Sequence, residues 1–333
     1  MTLIDNILKY ETVAIAGLAK NTGKTECINY LIKQLSGSGA MVAITSIGMD
    51  GECTDQKKKK KKPTITLPRG MIFATSEKHF RERNLDAEIL DVSNWHTATG
   101  RMVIARVMNR GQIILSGPSQ TARMHELNIR FKTKYHCNMV LIDGALSRMS
   151  QASPMIAGAM ILCTGASLSA SMQQVVKQTA HACRLITLDV TDKISFDKAK
   201  NLSRGIWKID PTKEPQLINE ETNDVSKAIF QNEPNGVYYV SGACTNKLLK
   251  KILQTADSPL ELIATDYTKL FVSSDTLHLF KDKGHILKVI RHNELIAVCI
   301  NPWSPQNYHF DALQFETAMQ RAVQIPVYNI RNL

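Results

Sequence analysis

The stretch that most constrains this chain is Val13-Ala-Ile-Ala-Gly-Leu-Ala-Lys-Asn-Thr-Gly-Lys-Thr25. A short apolar run ends in a glycine loop, and Gly23-Lys24-Thr25 opens an amphipathic segment. That pattern predicts a buried strand, a tight turn and a helix in immediate succession, the context of a phosphate-binding P-loop. The backbone N–H groups of such a loop point inward and cradle phosphate oxygens. The positive end of the helix dipole adds to the same field. Lys24 is placed to reach terminal phosphates as a point charge, and the Thr25 hydroxyl to ligate Mg²⁺. Five residues, Leu18, Ala19, Lys20, Asn21 and Thr22, separate Gly17 from Gly23, one more than the common spacing. The expected nucleotide contacts are Gly17, Lys20, Asn21, Thr22, Gly23, Lys24, Thr25 and Glu26. Lys20 is a second cation within the loop. Phosphate contact, across a dimer interface included, and a solvated loop lysine are both compatible with that position.

Around this loop, the chain of 333 residues is long enough for two domains. With 44% hydrophobic and 21% charged residues it has the composition of a soluble globular protein. No apolar run reaches the roughly 18 residues needed to cross a bilayer. The segment Met1–Glu11 carries acids and lacks a signal-peptide core, so cytoplasmic residence is expected and a membrane is not. The formal net charge is +11, but residues 57–62 are six consecutive lysines. Such a run reads as a solvated loop. No aromatic-interleaved basic patch accompanies it, so nucleic acid is not an expected partner. Seven cysteines, at 27, 53, 137, 163, 183, 244 and 299, form no C-x-x-C pair, and the histidines form no H-x-x-x-H pair. Zinc is not expected, and cysteines inside apolar runs read as small buried hydrophobes with reduced thiols.

Along the chain, short apolar runs alternate with helical patterns. Strands are expected at 13–17, 41–47, 64–74 (broken at Pro68 and Gly70), 88–92, 100–107, 112–116, 139–143, 159–164 and 185–190. Helices are expected at 24–35, 121–135 and 169–182. The alternation argues for an α/β fold, a P-loop NTPase with a mainly parallel sheet covered by helices. A shift in composition near Asp210–Pro215 suggests a boundary there. The reading is a nucleotide-binding domain over 1–212 and a smaller C-terminal α/β domain over 213–333, the latter a candidate partner surface. In that second part, strands are expected at 237–241, 260–265, 270–273 and 326–330, helices at 245–254 and 311–323, and a hairpin over 286–300 turning at His292-Asn293.

Asp143 ends a continuous apolar run, Met139-Val-Leu-Ile-Asp, where a carboxylate can hold Mg²⁺ directly or through water. Thr25 and Asp143 are therefore the candidate metal ligands. Asp50-Gly51-Glu52 follows the second strand, where a switch-like loop would lie. Asp50 first and Glu52 second are candidates to orient an attacking water; with Lys24 they complete the candidate catalytic set. Thr164-Gly165-Ala166-Ser167 and Gly117-Pro118-Ser119 end other strands. Each is readable as an anion or base-edge site or as a tight turn. Gly242-Ala243-Cys244-Thr245 has the look of a nucleophile turn, but no glycine stands two places on and no His-x-Glu partner follows.

The loop spacing resembles those of dethiobiotin synthetases and cobyrinic acid amidating ligases. Taken together, Gly17–Thr25, Ile47-Gly-Met-Asp-Gly-Glu52, Leu141-Ile-Asp-Gly-Ala-Leu146, Leu162-Cys-Thr-Gly-Ala166 and Ile300-Asn-Pro-Trp-Ser-Pro305 resemble the P-loop subunit of lysine 5,6-aminomutase reactivases over nearly the whole chain. The hexalysine run departs from that pattern. The resemblance implies a Mg²⁺-dependent ATPase, an ATP-binding hydrolase attached to lysine degradation. It would use nucleotide to release damaged cofactor from an adenosylcobalamin-dependent aminomutase. An aminomutase, a second reactivase subunit and a homodimer are the implied partners. The chain lacks the Asp-x-His-x-x-Gly cobalamin-ligating pattern, so ATP and Mg²⁺ are its expected cofactors. An ATP-dependent ligase resembling dethiobiotin synthetase, and a nucleotide-gated binding module without turnover, remain alternatives.

Overall fold

A computed structural model of the chain describes residues 2–48, 64–145, 157–222, 230, 235–329 and 331. The chain is α/β and divides into two compact units. The first comprises Met1–Ala180 with Glu294–Leu333, the second His181–Asn293. The expected boundary between 212 and 213 therefore falls inside the second unit, which interrupts the first. The expectation of a separate C-terminal domain fails because the last strands pair with the first sheet. No helix among the described residues is long and apolar enough to cross a membrane.

The first unit is organised by a nine-stranded mixed sheet. Its order is Val327–Asn329, Glu294–Asn301, Ala159–Gly165, Thr12–Gly17, Met139–Ala145, Val42–Ser46, Ile72–Ser76, Gly100–Val107 and Ala87–Thr97. Neighbours pair in parallel as far as Ile72–Ser76, and the last two junctions are antiparallel. Both faces are buried, as a parallel sheet requires. Val13, Ile15, Met139 and Leu141 face one core with Cys27, Ile28, Leu31 and Leu35 of the helix Lys24–Leu35. Ala14, Val140 and Ile142 face the other with Met124, Leu127 and Phe131 of the helix Thr121–Thr133. Alternation with period two thus sorts each strand between two helix-covered faces.

The second unit holds a five-stranded sheet in the order Gln216–Asn219, Gly205–Ile209, Val237–Ser241, Glu261–Ala264 and Ile286–Val289. The last three strands are mutually parallel. Ala199, Ile209, Tyr239, Ile263 and Ile290 fill one side of it.

Three expected elements come out differently. The strand over 112–116 shrinks to Gly111–Ile113, paired with Ile65–Leu67 in a separate two-stranded sheet. Beyond it, side-chain hydroxyls replace the ladder: Thr75 Oγ1 donates to Ile114 O (3.0 Å) and accepts from Ser116 N–H (3.1 Å). The strand over 185–190 is instead the end of a helix, Met172–Ile186. Its buried residues Val175, Thr179, Ala180, Cys183 and Ile186 recur at helical spacing. Val190 keeps only an isolated bridge to Val289. The hairpin over 286–300 is two parallel-paired strands in different sheets. His292-Asn293 lacks the Asn-Gly chemistry that a two-residue turn favours, and Asn293 is buried.

Ser116 and Gly117 brace the exit of the Val42–Ser46 strand. Gly117 N–H donates to Gly48 O and Gly48 N–H to Pro118 O, both at 3.2 Å. A Cβ on Gly117 would lie 1.6 Å from Ser46 O, so only glycine fits. Ser116 Oγ is within hydrogen-bond distance of Ser76 Oγ (2.9 Å), Thr75 Oγ1 (3.2 Å) and His79 Nδ1 (2.9 Å). Burial pushes His79 below its ordinary value of 6.5. The unfolded chain takes up that proton first, so this contribution to stability is present above about pH 6.5 and is lost as the pH falls below it.

Two outcomes follow. Gly117→Ala should destabilise the chain by about 2–3 kcal/mol through backbone overpacking. Gly37→Ala, whose Cβ meets nothing nearer than Gln34 O at 3.6 Å, should stay within about 0.5 kcal/mol in the same urea titration. An NMR titration of the imidazole C–H signals should place His79 below 6.5; a midpoint above that value would contradict the burial argument.

Candidate functional site

The Thr12–Gly17 strand runs between Met139–Ala145 and Ala159–Gly165. Parallel register sets Ile15 level with Asp143, and Gly17 level with Ala145 and Cys163. The loop that leaves Gly17 is thus delivered beside the acid that ends the neighbouring strand.

The loop turns through two left-handed residues, Asn21 at φ 61° and Gly23 at φ 88°. Gly23 occupies the N-cap position of the 12-residue helix Lys24–Leu35. Asn tolerates that region through its short polar side chain, and Gly through its missing Cβ. Leu18 N–H is anchored to Cys163 O at 2.9 Å. Thr22 is buried, and its hydroxyl donates to Ala19 O at 3.0 Å, closing the loop on itself. A Cβ on Gly17 would meet that hydroxyl at 2.8 Å, so the first glycine makes room for the Thr22 staple. The first N–H groups of a helix have no intrahelical partner and carry its positive pole, so this loop directs donors and field to one place.

Lys24 Nζ lies 2.8 Å from Asp143 Oδ1 and donates to Gly144 O at 3.0 Å. The two side chains are 17% and 7% exposed, so the pair is largely desolvated and strongly coupled. The acid's own segment is held in turn: Ser46 Oγ donates to Asp143 O at 3.1 Å and Ile47 N–H donates to the same oxygen at 3.0 Å. Thr25, half-buried, follows Lys24 in the first helical turn. Lys20, Asn21 and Glu26 are exposed. The structure thus joins Lys24 to Asp143 and stacks Gly17 against Thr22. Asp50, Glu52 and the 57–62 lysine run lie outside the described residues.

Other expected features resolve into structural roles. Thr164 is fully buried, with its hydroxyl 2.8 Å from that of Thr179, so it faces the core and not a ligand. The helix beyond it begins only at Met172. Ala166 N–H donates to Asn301 O at 2.9 Å. Cys244 is buried, its thiol pushed up to about 12, which removes it as a nucleophile. Six cysteines are free and buried, and Cys53 lies outside the described residues. Cys27, Cys163 and Cys299 meet behind the glycine loop, with Cys27 Sγ 3.7 Å from Cys299 Sγ. The hydrogen bonds among the three thiols, together with burial, leave all of them well above the usual range. No cluster of three His, Cys, Asp or Glu side chains able to hold a metal ion occurs among the described residues.

Sequence reasoning missed Ser46, whose only signal was a polar residue ending the apolar run before Ile47. Of the two readings of Gly117-Pro118-Ser119, the structure shows close packing of Gly117 on the Ser46 carbonyl. The side chains here that could hold a hard cation are the Thr25 hydroxyl and the Asp143 carboxylate, oxygen donors of the kind that suits Mg²⁺ and not a soft metal.

No protein-family model, curated protein or solved structure matches the chain.

Removing one partner of a buried ion pair leaves an uncompensated charge. Lys24→Ala should therefore destabilise the nucleotide-free chain by about 2–4 kcal/mol, short of the fully buried range because Lys24 keeps some exposure. The same substitution in an Asp143→Asn background should cost much less. A double-mutant cycle by urea unfolding measures the coupling, and strict additivity would show that the contact contributes nothing.

Proposed function

We propose that this chain binds a nucleoside triphosphate with Mg²⁺ at the Gly17–Thr25 loop and hydrolyses it, with ATP as the substrate. The observation that carries this reading is the Lys24–Asp143 pair at 2.8 Å, set beneath a glycine loop at a helix N-terminus. A lysine largely desolvated in the first turn of the helix after that loop, and held by Asp143 and Gly144, could exchange the carboxylate for a phosphate oxygen by a side-chain rotation. The exchange frees Asp143, which with the Thr25 hydroxyl forms the oxygen donor set for Mg²⁺. Bound Mg²⁺ would neutralise charge on the terminal phosphates. The chain's own part is to present the loop amides, to set the Lys24 charge against the transferred group and to hold Asp143 at a fixed height through Ser46 and Ile47. Asp50, with Glu52 as second candidate, is assigned the orientation of the attacking water.

The resemblance of the five segments to the reactivase P-loop subunit supplies the biological reading. Nucleotide state would bias a two-state element that binds an adenosylcobalamin-dependent aminomutase differently before and after hydrolysis, and so drive release of damaged cofactor. The aminomutase is then the partner, with a second reactivase subunit and self-association as further proposals.

Purified chain with Mg²⁺ and ATP should release phosphate slowly, and Lys24→Ala should lower the rate by about 100-fold or more. Thr25→Ala should raise the Mg²⁺ concentration needed for half-maximal turnover. Adding an inactivated aminomutase should raise turnover and restore mutase activity only when ATP is present. Equal turnover by Lys24→Ala would remove the assignment of the loop, and recovery of the mutase without ATP would remove the reactivase reading.

A further inference from the structure

The strands Thr12–Gly17, Ala159–Gly165 and Glu294–Asn301 are consecutive and parallel in the sheet. The segments that leave their carboxyl ends therefore emerge along one edge, where ligands of open α/β sheets collect. Gly17, Cys163 and Cys299 stand at one level. With strands about 4.8 Å apart, the segment after Asn301 lies two spacings, about 10 Å, from the glycine loop. On the opposite side of the loop Lys24 is tied to Asp143, which reserves that side for terminal phosphate and cation. The other end of a bound nucleotide is then directed past Ala166 toward the segment that begins at Asn301.

That segment is a rigid turn carrying an exposed aromatic ring. Trp303 is 47% exposed, yet its backbone pairs with His309 in an antiparallel bridge. Ser304 N–H donates to Tyr308 O and Phe310 N–H to Pro302 O, both at 2.9 Å. Asn307, at φ 66°, closes the turn. Tyr308 Oη donates to Ala166 O at 2.6 Å, which with the Ala166 N–H bond to Asn301 O at 2.9 Å clamps the two strand-end segments together. Gly165 permits the approach, since a Cβ there would lie 2.2 Å from Asn301 O. The His309 ring stacks on the indole with centroids 4.7 Å apart and planes 20° from parallel. The planar guanidinium of exposed Arg331 lies 5.2 Å over the same indole. Beside the clamp, Ser167 Oγ is shielded from water and has no hydrogen-bond partner among the described residues. A buried hydroxyl left unpaired is costly, and a ribose hydroxyl or base edge would satisfy it.

Single exposed aromatics are common on protein surfaces. Trp303 differs in being framed by hydrogen bonds, stacked on one partner, covered by a displaceable planar cation and set two strands from the phosphate loop. We propose that the Trp303 turn, with Ser167, is the base-binding end of the nucleotide site: the indole stacks on the nucleobase in place of Arg331, and Ser167 bonds to the nucleoside. This rests on the assignment of Gly17–Thr25 as the phosphate site.

The two assignments separate in one calorimetric experiment on the full chain, titrated with ATP or with tripolyphosphate, each with Mg²⁺. A base stacked on an aromatic side chain contributes about 1–3 kcal/mol, so Trp303→Ala should weaken ATP by roughly 5- to 150-fold. Tripolyphosphate affinity should stay unchanged, and Trp303→Phe should recover most of the loss. Ser167→Ala should weaken ATP about 3- to 10-fold and leave tripolyphosphate alone. Unchanged ATP affinity in Trp303→Ala, or an equal loss for tripolyphosphate, would overturn the base platform while leaving the phosphate loop standing. If the unsubstituted chain bound neither compound, the phosphate assignment would fall and this one with it.

Discussion

Everything at the candidate site depends on the parallel pairing of Thr12–Gly17 with Met139–Ala145. Strands that pair in parallel present the same ends to the same edge, and the register then decides which residues share a level. Ile15 opposite Asp143 is what lets a lysine on the helix after the loop reach an acid more than a hundred residues away. A slip of two residues would carry Asp143 about 6–7 Å along the strand and break the pair. A slip of one residue is excluded separately, since it would turn every side chain of the strand into the opposite core.

The second constraint is close backbone approach at the carboxyl edge. Gly17 against Thr22, Gly117 against Ser46 and Gly165 against Asn301 are three places where a Cβ would collide with oxygen. Only one of these collisions lies within a recognisable loop. The other two bring separate strand exits into contact, so the edge behaves as one assembled surface and not as a row of independent turns. Hydroxyl side chains do comparable work, with Thr75 and Ser116 replacing ladder bonds where the chain leaves regular structure.

The glycine loop, the helix Lys24–Leu35 and the central strands were legible because each carries its own local signal: an apolar run, a period of 3.6, or a glycine where the backbone turns left-handed. Asp143 was legible because an acid ending a continuous apolar run has few structural excuses. Two readings failed on ambiguity of short apolar runs. Residues 185–190 are as apolar as a strand, but the helix before them was long enough to absorb the first two, Leu185 and Ile186. Residues 286–300 alternate well enough for a hairpin, and nothing local reveals that the two halves belong to different sheets. The domain boundary failed for the same reason: prolines near 210–215 mark a turn inside a unit, while the true division falls within a helix and at 293/294.

What the sequence determined by itself was local: where the backbone turns, which segments hide both faces, and which strand ends in an acid. Propensity, period and glycine freedom act over a few residues and need no partner to be read. Only the tertiary structure decided the rest. It placed Asp143 against Lys24, brought Gly117 onto Ser46, gathered three thiols behind the loop, and returned the chain after an inserted unit to set Trp303 two strands from Gly17. These are relations between segments far apart in the chain. They follow from strand order and register, which are settled by the packing of the whole sheet between its two helical layers.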